Sequence, residues 1–379
     1  MKNISMFSFF SGCGLLDLGF EKAGYDIVLV SEKYKPFIEA YRYSRKKMNI
    51  KEPKYGYKNE DIESYLLSDS YLHKVVQDEK KRCLVGFVGG PPCPDFSTAG
   101  KNKGINGENG KLTKTYFDLI IKEKPDFFVF ENVKGLWKTK KHREFYDKMR
   151  KRIQRNGYFL IDRLLNSLEY GVPQERERIV MIGIKVESKD EKCIVRDFVK
   201  KFKWGLQNNN VLEIIKNIEW PIQEVFDLNS IKNKPDAIME EYTVQYWFDK
   251  NNVENHFNAY DYFKPRQGLQ KMKSIDEGDV SGKSYKRLHR WRYSPTAAYG
   301  NNEVHLHPYL CRRLSVAEVL AIQSAPKEFQ LPKEMTLTDK FKTVGNGVPV
   351  LMATKLAEEL KVMIERIEKA KGKNMNGFR

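Results

Sequence analysis

The feature that most restricts the fold is an alternation, in the first half of the chain, between short apolar runs and segments of helical periodicity. Apolar runs fall at 6–10, 27–31, 84–89, 127–131, 159–165 and 179–184, and helical spacing fills 37–48, 116–123 and 141–156. Strands that are apolar throughout, separated by helices, specify a sheet buried on both faces. The expected fold class is therefore α/β: a Rossmann-like, doubly wound, mostly parallel sheet, with a second, smaller irregular domain. Sheets of this kind bind ligands in the crevice outside the carboxyl ends of their strands. The residues directly after each run are the ones to inspect.

Beyond residue 184 the pattern degrades. Residues 204–263 carry 4 basic and 10 acidic side chains with little periodicity, whereas 264–292 carry 9 basic and 3 acidic ones, with Tyr285 and Trp291 interleaved. This shift assigns 186–310 to the second domain, with one basic face, and leaves 1–185 plus 311–379 as the first. Regular structure returns with a helix at 315–323, where Ser315 and Glu318 form a capping box, and with a helix at 348–367 after Gly345-Asn346-Gly347. That last helix is expected to pack beside the first strand.

Composition narrows the class. The chain has 67 Lys and Arg against 50 Asp and Glu, a net charge of +17, and so large an excess attracts polyanions. Residues 185–310 hold 20 basic and 18 acidic side chains, so most of the excess lies elsewhere, at 101–111, 42–47 and 138–155. A Lys- and Asn-rich composition from an AT-rich genome is the competing explanation. The cysteines, Cys13, Cys83, Cys93, Cys193 and Cys311, are odd in number and form no C-x-x-C pair. A disulfide framework or a structural zinc site is not expected, and a reduced cytosol is. No apolar run approaches the roughly 18 residues of a membrane span. Ser11-Gly12-Cys13 superficially resembles a lipoprotein cleavage box, but the apolar stretch before it is short and broken by Ser5 and Ser8, as in a first strand.

Three strand ends carry the chemistry. The strand at 6–10 runs into Ser11-Gly12-Cys13-Gly14 and then a helix through Leu16, Asp17 and Phe20. Glu32 ends the next strand 20 residues after Gly12, the spacing of a carboxylate that grips ribose hydroxyls. The turn lacks a full G-x-G-x-x-G, and Asp17 is a poor neighbour for pyrophosphate. A nucleoside cofactor without phosphates thus fits better than a dinucleotide, with an ordinary tight turn as the bland alternative. After the fourth strand, Gly89-Gly90-Pro91-Pro92-Cys93-Pro94 holds one thiol between prolines, a setting for a nucleophile rather than for packing. Gly100, Gly104, Gly107 and Gly110, with Lys101, Lys103 and Lys111 between them, read as a lid. Glu131-Asn132 closes an apolar strand and places a carboxylate in the same crevice. In Gln174-Glu175-Arg176-Glu177-Arg178, alternation points Arg176 and Arg178 to one side, where two guanidiniums would hold an anion or a carbonyl oxygen; a surface ion-pair ladder is the alternative.

The order of glycine turn, Pro-Pro-Cys, Glu-Asn-Val, Gln-x-Arg-x-Arg, Arg312-Arg313-Leu314-Ser315 and Gly345-Asn346-Gly347-Val348 resembles the cytosine-C5 DNA methyltransferase family over nearly the whole chain. Only about 186–290 is unmatched. The resemblance implies an S-adenosylmethionine site lined by Phe10, Gly12, Gly14, Asp17, Glu32, Asp61, Ile62, Pro91, Asn346 and Val348, with S-adenosylhomocysteine as product and no metal. It implies that Cys93 attacks C6 of a flipped cytosine, that Glu131 binds its N3 and N4 edge, and that Arg178 with Arg176 fixes O2 and the thiolate. Duplex DNA is the implied partner, gripped by the 186–310 domain. Lys101 and Lys103 would meet phosphates, Arg266, Arg287, Arg290 and Arg292 would read guanine edges, and Thr296, in Ser294-Pro295-Thr296, would support the reader. A monomer in a bacterial or phage-infected cytoplasm, at the nucleoid, with a separate cognate restriction endonuclease, completes the expectation. Leu15, Pro94, Ala317 and Ala325 depart from the usual motifs without touching the chemistry. A tRNA cytosine-5 methyltransferase is the nearest rival, disfavoured because no Cys-Phe-Thr element is present; a catalytically dead DNA-binding relative and a thiol-dependent Rossmann oxidoreductase are the others.

Overall fold

The computed structural model describes residues 3–68, 70–92, 108–205, 210–265, 268–297, 299 and 303–376. Its centre is a seven-stranded sheet. In chain order the strands are β1 (Ile4–Phe9), β2 (Asp26–Ser31), β3 (Tyr57–Lys58), β4 (Leu84–Gly89), β5 (Phe127–Val133), β6 (Tyr158–Asn166) and β7 (Glu177–Lys185), in the spatial order β3-β2-β1-β4-β5-β7-β6. The β1–β2, β1–β4, β2–β3 and β4–β5 pairs are parallel, whereas β7 lies antiparallel to β5 and to β6 between them. This is the expected doubly wound, mostly parallel sheet.

Every residue of β1 is buried, because the strand is covered on both faces. Ile4 and Met6 face a core completed by the C-terminal helix, and Phe7 and Phe9 face one completed by aromatic rings from the opposite layer. Each such side chain contributes about 1.5–3 kcal/mol of burial, so a polar residue is tolerated only when bonded. Ser5 donates to Glu79 Oε2 at 2.7 Å, and the Ser8 and Ser11 hydroxyls are 2.8 Å apart.

The helices α1 (Leu15–Lys22), α2 (Lys35–Lys47), α3 (Tyr71–Lys80), α4 (Glu108–Glu123), α5 (Lys134–Lys138) and α6 (Lys140–Arg155) connect the strands. The last helix, α13 (Val350–Asn376), begins two residues later than the sequence predicts. Gly345-Asn346 instead closes another helix, α12 (Leu337–Asn346). Met352, Ala353, Leu356, Ala357, Leu360, Met363, Ile364 and Ile367 form the buried stripe of α13. It reaches α1 so closely that a Cβ on Gly19 would collide with Ala353. Tyr25 donates to the Ala357 carbonyl at 3.0 Å across the same seam.

The region after β7 holds short helices. α7 (Lys189–Val199) packs on α13, and Val195 and Phe202 belong to the sheet's core. The sheet layer therefore extends some 20 residues past 185, where sequence periodicity stops marking it. The helices α8 (Val211–Asn217), α9 (Val244–Lys250) and α10 (Leu269–Lys273) follow, then α11 (Val316–Ile322), whose Ser315–Glu318 capping box is formed. Val244, Trp247, Phe248, Leu288 and Tyr299 share one core with Leu15, Leu18, α11 and α12. The second region is thus welded to the first through a common apolar layer.

Candidate active site

The glycine turn after β1 is held in a conformation few sequences adopt. Phe10, Gly12 and Gly14 all have positive φ, at 53°, 56° and 84°; this is uncommon for a non-glycine residue. Gly12 N–H donates to Glu32 Oε2 at 3.0 Å, and Glu32 Oε1 accepts from Tyr34 N–H at 2.8 Å. Burial raises the Glu32 carboxyl, opposed by these backbone donors. A Cβ on Gly12 would lie 3.6 Å from Thr343 Oγ1 of α12, and one on Gly347 would crowd Leu15. The turn and the α12–α13 junction, with exposed Asn346 and buried Val348, therefore adjoin.

The remaining cofactor-site candidates lie near the carboxyl ends of β1, β3 and β4. Asp61 caps a short 3-10 helix beginning at Ile62, accepting from Glu63 N–H, and pairs with Lys33 Nζ at 2.6 Å; that hydrogen bond holds its carboxyl below the usual range. Ile62 is buried beneath it. Asn59 ties this segment to the Glu32 and Lys33 carbonyls. Asp17 is buried in the first turn of α1, where desolvation raises its carboxyl. Pro91 is buried at the end of β4, and its carbonyl accepts from Asn132 at 3.3 Å. Phe10 stands edge-on to Tyr116, 6.2 Å between centroids. Cys93, Lys101, Lys103 and Arg266 lie outside the described residues, as does most of the 100–111 segment; Lys111 pairs with Glu63 at 2.9 Å.

The antiparallel insertion of β7 brings the charged pair together. Val133 lies opposite Arg178 and Glu131 opposite Val180, so Glu131 and Arg178 are diagonal neighbours on one face, within reach of long side chains. Arg178 Nε is 3.0 Å from Glu131 Oε1, and both side chains are nearly buried. Burial raises the Glu131 carboxyl, and Arg178 and then Arg176 oppose the rise. A Cβ on Gly90 would stand 2.8 Å from Glu131 Oε2, which sets the carboxyl beside the strand end that leads into Pro91-Pro92-Cys93. A desolvated carboxyl of raised pKa holds a proton more readily than one in water, and the guanidinium next to it offers donors to a neutral oxygen.

Arg176 lies near the pair but is fully buried, with Nη1 and Nη2 donating to the carbonyls of Ala297, Gly345 and Asn346 at 3.2, 2.9 and 3.3 Å. Its neighbour Gln174 accepts from Ala297 N–H at 2.9 Å and donates to Gln323 at 3.0 Å. Gln323 in turn donates to the Val344 carbonyl. Thr296 donates to the Glu175 carbonyl at 2.7 Å, and Glu175 N–H to the Ser294 carbonyl at 2.8 Å. Residues 174–176 are thereby zipped to the 294–297 strap. Gln323, Asn132 and Thr343 were not singled out from sequence. An amide side chain closing an apolar helix, as Gln323 does, was the available signal.

Two of the expected guanine readers are corrected by their placement. Arg287 is wholly buried and donates to the carbonyls of Ile275, Met272, His307 and Leu310, with its guanidinium 3.7 Å over the Phe226 ring. Arg290, 3% exposed, forks onto Glu277 at 2.8 and 2.9 Å and onto Ser230. Guanidiniums whose donors are committed to buried protein acceptors have none to offer a base edge. Arg292, half-buried against Tyr293, remains at the surface of this region. Arg45, counted from sequence within a basic surface patch, is likewise internal, 1% exposed.

Among the described residues no group of three or more His, Cys, Asp or Glu side chains is placed to hold a metal ion, and no helix is long and apolar enough to cross a membrane. The chain matches the C-5 cytosine-specific DNA methylase family model over residues 4–362. It is 53% identical to Type II methyltransferase M.NmeDI of Neisseria meningitidis serogroup C, over 96% of this chain and 85% of that protein. It is 28% identical to Type II methyltransferase M.FnuDI of Fusobacterium nucleatum, over 97% of each chain. Among solved structures, the S. pombe Dnmt2 methyltransferase shares the fold, with a TM-score of 0.58 at 14% identity, covering 95% of this chain and 99% of that one.

Proposed function

The chain belongs to the C-5 cytosine-specific DNA methylase family, and on that premise we propose that it methylates C5 of a cytosine turned out of a specific duplex DNA sequence, through a covalent bond between Cys93 and C6. The observation that carries this reading is the dry Glu131–Arg178 pair beside the strand end that enters Pro91-Pro92-Cys93. A cytosine ring is unreactive at C5 until a nucleophile adds at C6, and C6 is reachable only outside the base stack. The Cys93 thiolate forms the S–C6 bond, and the displaced π electrons move onto C5. Glu131, its carboxyl raised by burial, shares a proton with N3 as charge develops, and holds the N4 amino group. Arg178 donates to O2. Arg176, bound to three carbonyls, fixes the frame around the pair. Once C5 carries the methyl group, loss of its proton to a base and elimination of the Cys93 thiolate restore the aromatic ring.

The crevice fits a nucleoside cofactor. Left-handed backbone at Phe10, Gly12 and Gly14 shapes the turn after β1, and Glu32 and Asp61 present carboxylates just past the ends of β2 and β3, poor neighbours for a pyrophosphate and suitable ones for ribose hydroxyls and an amino group. S-adenosylmethionine, when bound, supplies an electrophilic methyl group on a sulfonium. Glu32 would hold the ribose, Asp61 the adenine amino group, and Phe10, Asp17, Ile62, Pro91, Asn346 and Val348 the walls. The relatives' designation as Type II methyltransferases supports a role in protecting host DNA beside a separate endonuclease.

The test is incubation with radiolabelled S-adenosylmethionine and duplex DNA. Label at cytosine C5, abolished by Cys93→Ser, is expected, together with a trapped adduct on a 5-fluorocytosine duplex, whose fluorine cannot leave as a proton does. Undiminished transfer by Cys93→Ser would overturn the mechanism.

A further inference from the structure

Beneath the glycine turn lies a charged cluster that the proposed chemistry does not use. Arg45 projects from α2 into the body of the protein, on the buried stripe with Phe37, Ile38 and Tyr41. Its Nη2 donates to the Gly14 carbonyl at 2.7 Å, its Nε sits 2.8 Å from Glu21 Oε2, and its guanidinium lies 4.1 Å over the Tyr41 ring. Gly14 is left-handed, and a Cβ there would collide with Tyr41 and stand 2.9 Å from Arg45 Nη2. The same carbonyl accepts from Leu18 N–H at 2.9 Å, the first bond of α1. Glu32 thus grips the turn through Gly12 N–H from above, and Arg45 grips it through the Gly14 carbonyl from below.

We infer that Arg45 is a positioning residue for cofactor binding, holding the 11–14 turn in its left-handed shape through the Gly14 carbonyl. A buried arginine that served Glu21 alone would be a matter of stability. The guanidinium divides these tasks between separate nitrogens, so they are separable. Nε answers the carboxylate, which is otherwise left buried and unpaired at a cost. Nη2 answers a carbonyl that nothing else among the described residues is seen to bond apart from the α1 helix itself. Without it the glycines of the turn are free to take other backbone conformations, and the ribose carboxylate at Glu32 loses its register with Gly12. The inference rests on the reading of this turn as the cofactor site.

The experiment measures S-adenosylmethionine binding by titration calorimetry, beside thermal unfolding, for Arg45→Met, Glu21→Gln, the double variant and Glu32→Ala. Arg45→Met alone is expected to unfold at lower temperature because it strands Glu21, and the double variant to recover that stability. Binding is expected to weaken by about tenfold in the double variant, the scale of one lost hydrogen bond to a charged group, while Glu21→Gln alone binds within about twofold of the parent, well under one such bond. Michaelis constants for DNA and kcat at saturating cofactor should stay unchanged, a split that mere loss of folded protein would not produce. Should the methionine variants fail to fold, Arg45→Lys keeps a cation for Glu21 without the second arm and should show the same weakening. Parent-like binding by the double variant or by Arg45→Lys, with binding lost in Glu32→Ala, overturns the inference alone. Parent-like binding in Glu32→Ala as well overturns the assignment of the turn.

Discussion

The crevice at the carboxyl edge of the sheet and the region after residue 205 use arginine for opposite ends. At the crevice, Arg178 reaches Glu131 beside a strand end that leads into the site. In the second region, Arg287 and Arg290 turn inward and spend their donors on carbonyls and on Glu277. The difference is one of local order. Along β7 a two-residue period decides which way a side chain points, whereas in loops buried polar backbone must be answered by something, and the nearest long donor turns in to do so. Positive charge in a sequence is therefore not positive charge on a surface.

The largest effect that would break this contrast is at the crevice. Glu131→Gln should lower kcat by about 10²- to 10⁴-fold, the range of a lost acid–base group, with the thermal midpoint nearly unchanged; steady-state methylation and scanning calorimetry decide it. Next comes Arg290→Met, which leaves Glu277 buried and short of its main partner. It should cost about 3–5 kcal/mol of stability in urea unfolding without changing the methylated sequence in long-read maps of host DNA. A stable variant with altered sites would show Arg290 to be a reader after all. A third effect, spread over several pH units, sharpens the contrast. Burial pushes His305 and His307 down to about 3, so both stay neutral in the folded protein while the unfolded chain binds protons below about 6.5. The unfolded state then holds more protons, and stability should fall as pH drops from 6.5 toward 3, by about 1.4 kcal/mol per pH unit for each histidine. His305→Phe should flatten that slope in urea titrations taken at successive pH values.

How much could be read beforehand follows the same division. The strands and the β1 turn were legible because apolar periodicity and glycine spacing are local properties. The meeting of Glu131 with Arg178 was legible because both sit near strand ends at one edge of the sheet. Arg45 was not, since its neighbours Arg42, Lys46 and Lys47 made the stretch look like a solvated face. Only the helical stripe through Phe37, Ile38 and Tyr41 pointed inward. Arg287 and Arg290 were misread for want of any period to orient them. The two-residue β3 and the end of the sheet layer near residue 205 depended on pairing and packing between distant segments, which no local pattern encodes.

The seam between α1 and α13 also governs when the protein becomes able to act. The helix that carries the glycine turn into the fold is among the first segments to leave the ribosome, yet its covering stripe begins with Met352 and Ala353. At roughly 5–20 residues per second, α1 waits tens of seconds with its apolar face uncovered. A chain cut short anywhere before that stripe lacks the layer that covers α1 and seats the turn.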